Sequence, residues 1–309
     1  MKCLVTGGAG FIGSHISEAL VERGDDVTVV DNLSTGNLGN LHDFEEHVTF
    51  VQGDIRDFNL MKEVTQGVDL IFHEAAVASV AKSVEDPVGT DAINVGGTVS
   101  VLTAAKENKV QKVVFASSAA VYGDDPKLPK KENMTPQPKS PYAFHKLAGE
   151  YYLQLFHHLF GLQAVALRYF NIFGPRQDPS SEYSGVISIF INRFKQNAKY
   201  TIYGDGEQSR DFVYVADVVR ANLAAAAKEF DHVPVINVAC NRANSLLQLV
   251  ADLQKISGSS LAPQFKDERL GDIKHSRADN SRLRNLLKIV PEVDFQDGLM
   301  KLWQSLSAA

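Results

Sequence analysis

The sequence has few cysteines and no long apolar run. Only two cysteines, Cys3 and Cys240, occur among its 309 residues, and two distant thiols form neither a disulfide framework nor a metal-binding cluster. No apolar stretch reaches the 18 residues of a membrane-spanning helix, and no cationic segment with an apolar run precedes residue 3. These absences predict a protein of the reducing cytoplasm that has no membrane partner.

The chain also lacks an excess of positive charge and any metal-ligand spacing. Its formal net charge is −6, from 31 basic and 37 acidic residues, whereas nucleic-acid-binding domains usually carry a basic face. Its nine histidines show no pattern such as His-Glu-x-x-His. We therefore expect neither a nucleic-acid partner nor a metal site.

Short apolar runs recur along the first half of the chain, and helical patterns separate most of them. The runs are residues 3–6, 27–31, 48–52, 70–73, 112–117 and 163–168. Aliphatic strands that alternate with helices are typical of a parallel sheet covered on both faces. We predict a doubly wound α/β domain over residues 1–170, with its ligand beyond the carboxyl ends of the strands.

The character of the sequence changes after Asn171. A segment with glycine and proline leads into a helical pattern near residues 185–196 and a hairpin-like stretch at residues 200–205. We predict a smaller mixed α/β lobe over residues 171–309. Segments within residues 212–240, namely 212–215 and 235–238, are expected to return to the sheet of the first domain.

Three glycines follow the first apolar run and open an amphipathic stretch. Gly7, Gly10 and Gly13 predict a strand, a tight turn and a helix whose N-terminal amides face a dinucleotide pyrophosphate. The glycines by themselves equally fit an ordinary glycine-rich turn. Asp31 ends the second apolar run, 18 residues after Gly13, where a carboxylate accepts hydrogen bonds from ribose hydroxyls and repels a 2′-phosphate. The two features together favour NAD over NADP.

A Tyr-x-x-x-Lys pair supplies candidate acid–base chemistry. Tyr142 and Lys146 follow Pro141, which suits the first turn of a helix, and their spacing places both on one helix face. A nearby ammonium group lowers the pKa of a phenol, as a general base requires. The spacing is common by chance, so its meaning depends on a partner elsewhere in the chain.

Ser117 and Ser118, near the end of a predicted strand, are the candidate partners of Tyr142 and Lys146. Serines in such places often make only local hydrogen bonds, but beside a tyrosine, a lysine and a nucleotide fold a hydroxyl can hold the oxygen at a reacting carbon. We predict Ser118, Tyr142 and Lys146 as catalytic residues. Whether Ser117 shares the work of Ser118 stays open.

These features together resemble the extended short-chain dehydrogenase/reductase family and, within it, the UDP-hexose 4-epimerases. The resemblance runs from residue 2 to about residue 305, through segments 6–13, 31–32, 53–55, 73–76, 117–123, 142–146, 168–171 and 204–211. It implies a Rossmann fold and an NAD cofactor that stays bound through turnover. It also implies a homodimer whose interface uses the helical regions near residues 90–108 and 141–160.

The resemblance assigns binding residues as well. It implies that the cofactor contacts Gly7, Gly10, Phe11, Ile12, Gly13, Asp31, Asn32, Asp54, Ile55, Ala75, Ala76, Tyr142 and Lys146. It implies that the UDP-sugar substrate contacts Ser117, Ser118, Asn171, Tyr203, Arg210, Arg269, Asp272 and Ser276. The chemistry agrees, since guanidinium groups donate to diphosphates and a tyrosine can stack on uracil. Without the resemblance, the two arginines equally fit surface ion pairs.

The positions after Ser118 favour one reaction. Relatives resembling 4,6-dehydratases carry Asp and Glu there, and UDP-glucuronate decarboxylases keep a Glu, whereas this sequence has Ala119 and Ala120. A methyl group cannot transfer a proton, so hydride exchange at C4 with inversion, which is 4-epimerisation, is implied.

Ser276 bears on the size of the sugar. It stands where some relatives restricted to UDP-glucose and UDP-galactose have a tyrosine, so UDP-GlcNAc and UDP-GalNAc are expected to be accepted together with the plain hexoses. Three other functions stay open: UDP-glucuronate 4-epimerisation, reduction of a nucleotide-linked 4-keto sugar, and nucleotide sensing without catalysis.

Overall fold

A computed structural model describes residues 1–178, 185–268 and 274–306. The strands are β1 (Lys2–Thr6), β2 (Asp26–Asp31), β3 (Val48–Gln52), β4 (Leu70–His73), β5 (Lys112–Ser118), β6 (Gln163–Tyr169), β7 (Asn171–Phe173), β8 (Thr201–Tyr203), β9 (Ser209–Arg210), β10 (Phe212–Tyr214), β11 (Val235–Val238), β12 (Asn244–Ser245) and β13 (Gln264–Lys266). The α-helices are α1 (Phe11–Glu22), α2 (Phe58–Val64), α3 (Val80–Glu85), α4 (Pro87–Asp91), α5 (Gly97–Glu107), α6 (Pro141–Phe160), α7 (Val186–Lys195), α8 (Val215–Ala227), α9 (Leu246–Ser257), α10 (Ser281–Leu286) and α11 (Phe295–Ser305). Across these ranges, no helix has both the length and the apolar composition to cross a bilayer.

Seven of these strands form one parallel sheet in the order β11-β6-β5-β4-β1-β2-β3. Strand order reverses between β1 and β4, which makes a crevice at the carboxyl ends of these strands where doubly wound folds bind their ligands. The predicted fold class is therefore confirmed. The segment 235–238 does return to the sheet, as β11 beside β6.

Both faces of the sheet are covered by apolar helix faces. Ile16 of α1 and Val218 of α8 pack on one face, and Met61 of α2, Leu102 of α5 and Leu153 of α6 pack on the other, all fully buried. Burying a side chain of this size stabilises the fold by about 1.5–3 kcal/mol. The helices are thereby held firmly over the sheet, with their termini at its edge.

A third apolar cluster lies in the C-terminal part of the chain. Phe190 of α7, Ile202 of β8 and Leu249 of α9 are among its buried members. Small two-stranded sheets surround it, in which β7 pairs with β10, β9 with β12 and β8 with β13. The division of the chain near residue 170 stays a prediction.

Two strand predictions in this region were wrong. The segment 212–215 was expected in the main sheet, but β10 pairs with β7 in a separate parallel ladder. The stretch at 200–205 was expected to form a hairpin, but β8 pairs in parallel with β13, which lies about sixty residues away in the sequence. Both segments are short apolar runs whose partners are distant in sequence, so local pattern could not identify the partner.

Candidate active site

The glycine turn between β1 and α1 is tightly packed. Gly7 has a φ of +71°, and a Cβ there would lie 2.6 Å from the Ala75 amide nitrogen. A Cβ on Gly13 would lie 2.2 Å from the carbonyl oxygen of Gly7, whereas one on Gly10 meets only that oxygen, at 3.1 Å. Gly7 and Gly13 are thus required by the turn itself, and Gly10, which has no side chain, lets an anion approach the backbone at the start of the helix.

Asp31 ends β2 beside this turn. One carboxylate oxygen accepts the Ala9 amide at 3.0 Å, and the other accepts the Leu33 amide at 2.8 Å. Gly36 packs directly against the carboxylate, since a Cβ there would lie 2.7 Å from it. The side chain predicted to bind ribose is therefore held rigidly at the carboxyl end of the sheet.

The other predicted adenosine contacts lie next along this edge. Asn32 donates to Asp54 at 3.1 Å, and Arg56 donates to the same carboxylate at 2.9 and 2.7 Å. The hydrogen bond from Arg56 holds the pKa of Asp54 at about 2. Ile55 is 5% exposed and packs against Gly97, so its side chain faces the core.

Three further residues predicted to contact the cofactor are Phe11 and Ile12, at the start of α1, and Ala76. Phe11 begins the helix and contacts the ring of His15 edge-on, with the ring centroids 6.1 Å apart. Ile12 packs against the core beneath the sheet, and Ala76 is half-buried after β4. The backbone amides at this helix start, more than the side chains, are placed to meet an anion.

Ser118, Tyr142 and Lys146 meet where β5 ends. Ser118 is the last residue of β5, and Tyr142 lies in the first turn of α6, which Ser140 caps by accepting the Ala143 amide at 3.2 Å. The Ser118 hydroxyl accepts the Ala120 amide at 3.2 Å and acts on the pKa of the Tyr142 phenol as a hydrogen-bonding neighbour. One helical turn further, Nζ of Lys146 lies 5.0 Å from the centroid of the Phe115 ring.

The pKa of Tyr142 differs from the one that the sequence predicted. Burial raises the pKa of Tyr142, and the hydrogen bond with Ser118 opposes that rise. Burial also lowers the pKa of Lys146, which the charge of Glu74 opposes. The predicted lowering of the Tyr142 pKa is therefore wrong for the chain alone, because desolvation raises this pKa and the charge of Glu74 raises it further.

The Ser117 side chain does not join the cluster of Ser118, Tyr142 and Lys146. Ser117 is 2% exposed and donates to Glu150 of α6 at 2.5 Å. Glu150 in turn accepts from Arg168 of β6 at 2.8 and 2.7 Å. Ser117 therefore makes a buried structural contact with the helix that carries Tyr142, and the substrate contact predicted for it stays a prediction.

A cavity of about 570 Å³ lies in the C-terminal region. Its lining includes Asn171, Tyr203 and Arg210, three of the predicted substrate residues, together with Val186 and Ile187 at the N-terminus of α7. A volume of this size matches a drug-sized ligand. Helix-terminal amides and a guanidinium group in one cavity favour an anionic ligand.

Two of the remaining predicted substrate residues, Arg269 and Asp272, lie outside the described residues. Ser276 is described, and its amide donates to the Ser209 carbonyl at 2.9 Å. Arg210 donates from Nη1 to the carbonyl oxygens of Ser209 and Lys274, at 3.0 and 3.3 Å. The segment that carries Ser276 therefore lies beside the cavity arginine, and its role as a gate stays a prediction.

Three polar side chains of this region were not assigned by the sequence analysis. Glu74 accepts a hydrogen bond from Tyr169 at 2.8 Å, Ser83 accepts the Tyr142 amide at 3.0 Å, and Glu150 anchors α6 as described. A spacing of four residues after Lys146 was the available signal for Glu150. Across the described ranges, no three His, Cys, Asp or Glu side chains cluster as metal ligands do.

The comparisons with known proteins agree with this arrangement. A family model described as the NAD dependent epimerase/dehydratase family matches residues 3–239. A putative UDP-glucose 4-epimerase of Methanocaldococcus jannaschii is 40% identical over 301 residues, which cover 97% of this chain and 96% of the relative.

Two solved structures are closely similar. The UDP-N-acetylglucosamine 4-epimerase of Methanobrevibacter ruminantium M1, in complex with UDP-N-acetylmuramic acid, is 41% identical with a TM-score of 0.95, and the match covers 99% of this chain and 98% of that one. The UDP-glucuronic acid 4-epimerase of Bacillus cereus, in complex with UDP-glucuronic acid and NAD, is 32% identical with a TM-score of 0.92, and the match covers 100% and 99%. The resemblance inferred from the motifs and the NAD cofactor are confirmed. The chain therefore belongs to the NAD dependent epimerase/dehydratase family, as an NAD-using enzyme of its nucleotide-sugar 4-epimerase branch.

Proposed function

We propose that this enzyme interconverts UDP-GlcNAc with UDP-GalNAc, and UDP-glucose with UDP-galactose, by inverting the configuration at C4. The observation that carries the proposal is the convergence of Ser118, Tyr142 and Lys146 at the carboxyl end of β5. Ala119 and Ala120 follow at once, so the two positions after Ser118 carry no acid that could transfer a second proton. That set suits reversible oxidation of an alcohol and does not suit elimination.

The glycine turn and the Asp31 carboxylate fit a dinucleotide. The glycine backbone at Gly10 and the amides at the start of α1 suit its diphosphate, and Asp31 lies where a ribose is held. When bound there, NAD supplies a reversible hydride acceptor for C4 and a positive charge that favours the phenolate form of Tyr142.

The residues of the chain then act on the proton. Tyr142 takes the proton of the sugar 4-hydroxyl as general base, and Ser118 donates a hydrogen bond that holds the same oxygen. Lys146 stabilises the phenolate by its charge. The 4-keto sugar then rotates so that the opposite face of C4 is presented. Tyr142 returns the proton to O4, and the configuration at C4 is inverted.

The cavity supports this reaction by holding the part of the substrate that does not react. Arg210 and the amides of Val186 and Ile187 suit a diphosphate, and Tyr203 and Asn171 line the same cavity. A substrate held at its diphosphate keeps its hexose free to rotate. Such rotation is required, because both faces of C4 must be presented in turn.

A homodimer is part of the proposal. Helix α6 exposes an apolar stripe of Phe144, Tyr151, Leu155 and Leu159, each 50–62% exposed, at positions that share one helix face. Val84 of the neighbouring α3 is 64% exposed. Exposed apolar stripes of this kind are typical of protein interfaces. The mass of the purified chain in solution, compared with that of Leu155→Glu, tests the dimer, and an unchanged mass would contradict it.

The substrate is tested with the protein as purified, without added NAD. UDP-GlcNAc, UDP-glucose and UDP-glucuronate are incubated separately, and the 4-epimers are resolved by chromatography. Conversion of UDP-GlcNAc and UDP-glucose supports the proposal. Conversion of UDP-glucuronate alone would replace it with UDP-glucuronate 4-epimerisation, and a requirement for stoichiometric reduced nicotinamide would indicate a reductase.

A further inference from the structure

Glu74 places a carboxyl group at the sheet edge where the catalytic side chains meet, and the proposed reaction leaves it without a role. It follows β4 directly, and its amide donates to the Thr6 carbonyl at 3.1 Å. Its neighbour Ala75 touches Gly7 of the dinucleotide turn. The backbone of Glu74 is thus fixed between the turn and the end of β4.

The side chain of Glu74 is held by a phenol from across the sheet. Its Oε1 accepts a hydrogen bond from Tyr169 at 2.8 Å, and Asn222 of α8 donates to the same phenol at 2.8 Å. Tyr169 ends β6 and lies opposite Ser118 of β5, the strand between β4 and β6. The bridge from Glu74 to Tyr169 therefore crosses the end of β5 beside Ser118.

Lys146 approaches this edge from α6. Its ammonium group lies over the ring of Phe115, which is opposite His73 in the sheet, and His73 immediately precedes Glu74. The charge of Glu74 and the charge of Lys146 act on each other across this edge without a hydrogen-bonded ion pair of the kind that joins Glu150 to Arg168. The charge of Glu74 also reaches the phenol of Tyr142.

Burial disfavours the ionised form of Glu74 and the ionised form of Lys146. It raises the pKa of Glu74 and lowers the pKa of Lys146, and each charge supports the ionised form of the other. The other titratable groups near the pair are His73, whose pKa burial lowers to about 3, Tyr169, whose pKa burial raises well above its ordinary value, and His145, whose pKa burial also lowers. All three are neutral near pH 7, so the titrating charges at this edge are those of Glu74 and Lys146.

We propose that Glu74 is a positioning residue whose carboxylate is the counter-charge of Lys146, keeping it an ammonium ion and setting the pH range in which Tyr142 exchanges protons. The inference rests on the proposed function, because it assigns to Lys146 and Tyr142 their parts in that reaction. Its signature is a shift of the pH profile, which loss of packing at Glu74 would not cause.

The test compares the pH dependence of kcat for the wild-type chain and Glu74→Gln, which keeps the shape of the side chain and removes its charge. Without that charge, the pKa of Lys146 falls and so does the pKa of Tyr142. The plot of kcat against pH is expected to be bell-shaped, with an acidic and an alkaline limb. Both limbs then move to lower pH, by about one unit. Tyr169→Phe removes the hydrogen bond that favours the ionised carboxyl and gives a smaller shift in the same direction.

A matched control is Glu132→Gln. Glu132 is also a buried carboxyl, with a side chain that is 5% exposed and accepts the Asn237 amide at 2.9 Å. Its neutralisation is expected to leave both limbs in place. Limbs that stay fixed in Glu74→Gln while the plateau falls would overturn the proposal.

A second readout does not depend on turnover. The Cε resonance of Lys146, assigned by its loss in Lys146→Met, is followed by ¹³C NMR during a pH titration. Its midpoint is expected about one unit lower in Glu74→Gln than in the wild-type chain, and an unchanged midpoint would overturn the inference. If no UDP-sugar is converted, the proposed function fails, and this titration still decides the charge pair.

Discussion

The carboxylate of Glu150 and the guanidinium group of Arg168 form a buried, two-pronged ion pair with hydrogen bonds of 2.8 and 2.7 Å. The two side chains are 2% and 3% exposed. The pair joins α6, which carries Tyr142 and Lys146, to β6 and, through Ser117, to β5. The spacing between Ser118 and Tyr142 therefore depends on two charges that contact no substrate.

Glu150→Ala is expected to destabilise the chain by about 3–5 kcal/mol, because it leaves the Arg168 charge buried without a partner. Urea unfolding measures the free energy of unfolding of both proteins. Glu63→Ala is the control, since Glu63 is an exposed glutamate on α2, and its effect is expected within about 0.5 kcal/mol. Equal losses in the two variants would contradict the role of the pair.

Tyr142→Phe is expected to lower kcat at least about 100-fold, because it removes the proposed general base. The NAD content of the purified variant, measured after denaturation, is expected to stay unchanged, since the aromatic ring remains in place. Tyr152→Phe serves as the control on the same helix, with full turnover expected. Unchanged turnover in Tyr142→Phe would exclude the assigned role.

Gly13→Ala is expected to lose bound NAD and about 1–3 kcal/mol of stability, as overpacking does, because its Cβ would lie 2.2 Å from the Gly7 carbonyl oxygen. Gly96→Ala is the matched change, since a Cβ there meets nothing within 4 Å and the backbone is right-handed helical. NAD content and urea unfolding are measured for both. Retention of NAD by Gly13→Ala would show that the turn tolerates a side chain.

Ser276→Tyr tests the size of the sugar site. The ratio of kcat/KM for UDP-GlcNAc to that for UDP-glucose is expected to fall at least about tenfold, because a phenol ring would occupy the volume that an acetamido group needs. Ser276→Ala keeps the position small and is expected to keep the ratio. A ratio that stays constant in the tyrosine variant would remove the gate from the proposal.

His73 is expected to make the fold sensitive to acid. It lies between hydrogen bonds to Thr6 and Thr98, at 2.7 and 3.0 Å, and burial lowers its pKa from 6.5 to about 3. Because the folded-state value is depressed, the neutral ring stabilises the fold fully above pH 6.5, and this stability is lost as the pH falls below that value. At pH 5 the loss is about 2 kcal/mol.

The measurement is the change in the free energy of unfolding between pH 7.5 and pH 5.0, in the wild-type chain and in His73→Gln. The variant is expected to show a smaller change, by about 2 kcal/mol, although its stability at pH 7.5 is lower. His15, whose pKa burial lowers to about 4, contributes equally to both proteins. An equal change in the two would contradict a buried neutral His73.

Local patterns predicted the main sheet well. Each strand of a doubly wound sheet is a short apolar run next to a helix, and the glycine turn needs only neighbouring residues to form, so both are visible in sequence. Local patterns could not show that Ser117 and Ser118 contact different side chains, or that β10 and β11 pair in different sheets. A strand's facing and its partner depend on residues far along the chain, as the pairing of β11 with β6 shows.

The amino-acid sequence by itself determined the fold class, the dinucleotide turn and the family, because these depend on residue types at short, fixed spacings. Only the tertiary structure decided the environment of the charges. It buried Tyr142 and so raised its pKa, it turned Ser117 towards Glu150, and it placed Glu74 against Tyr169 within the field of Lys146. Burial and charge pairing arise between segments that are distant in sequence, and they appear only when the chain has folded.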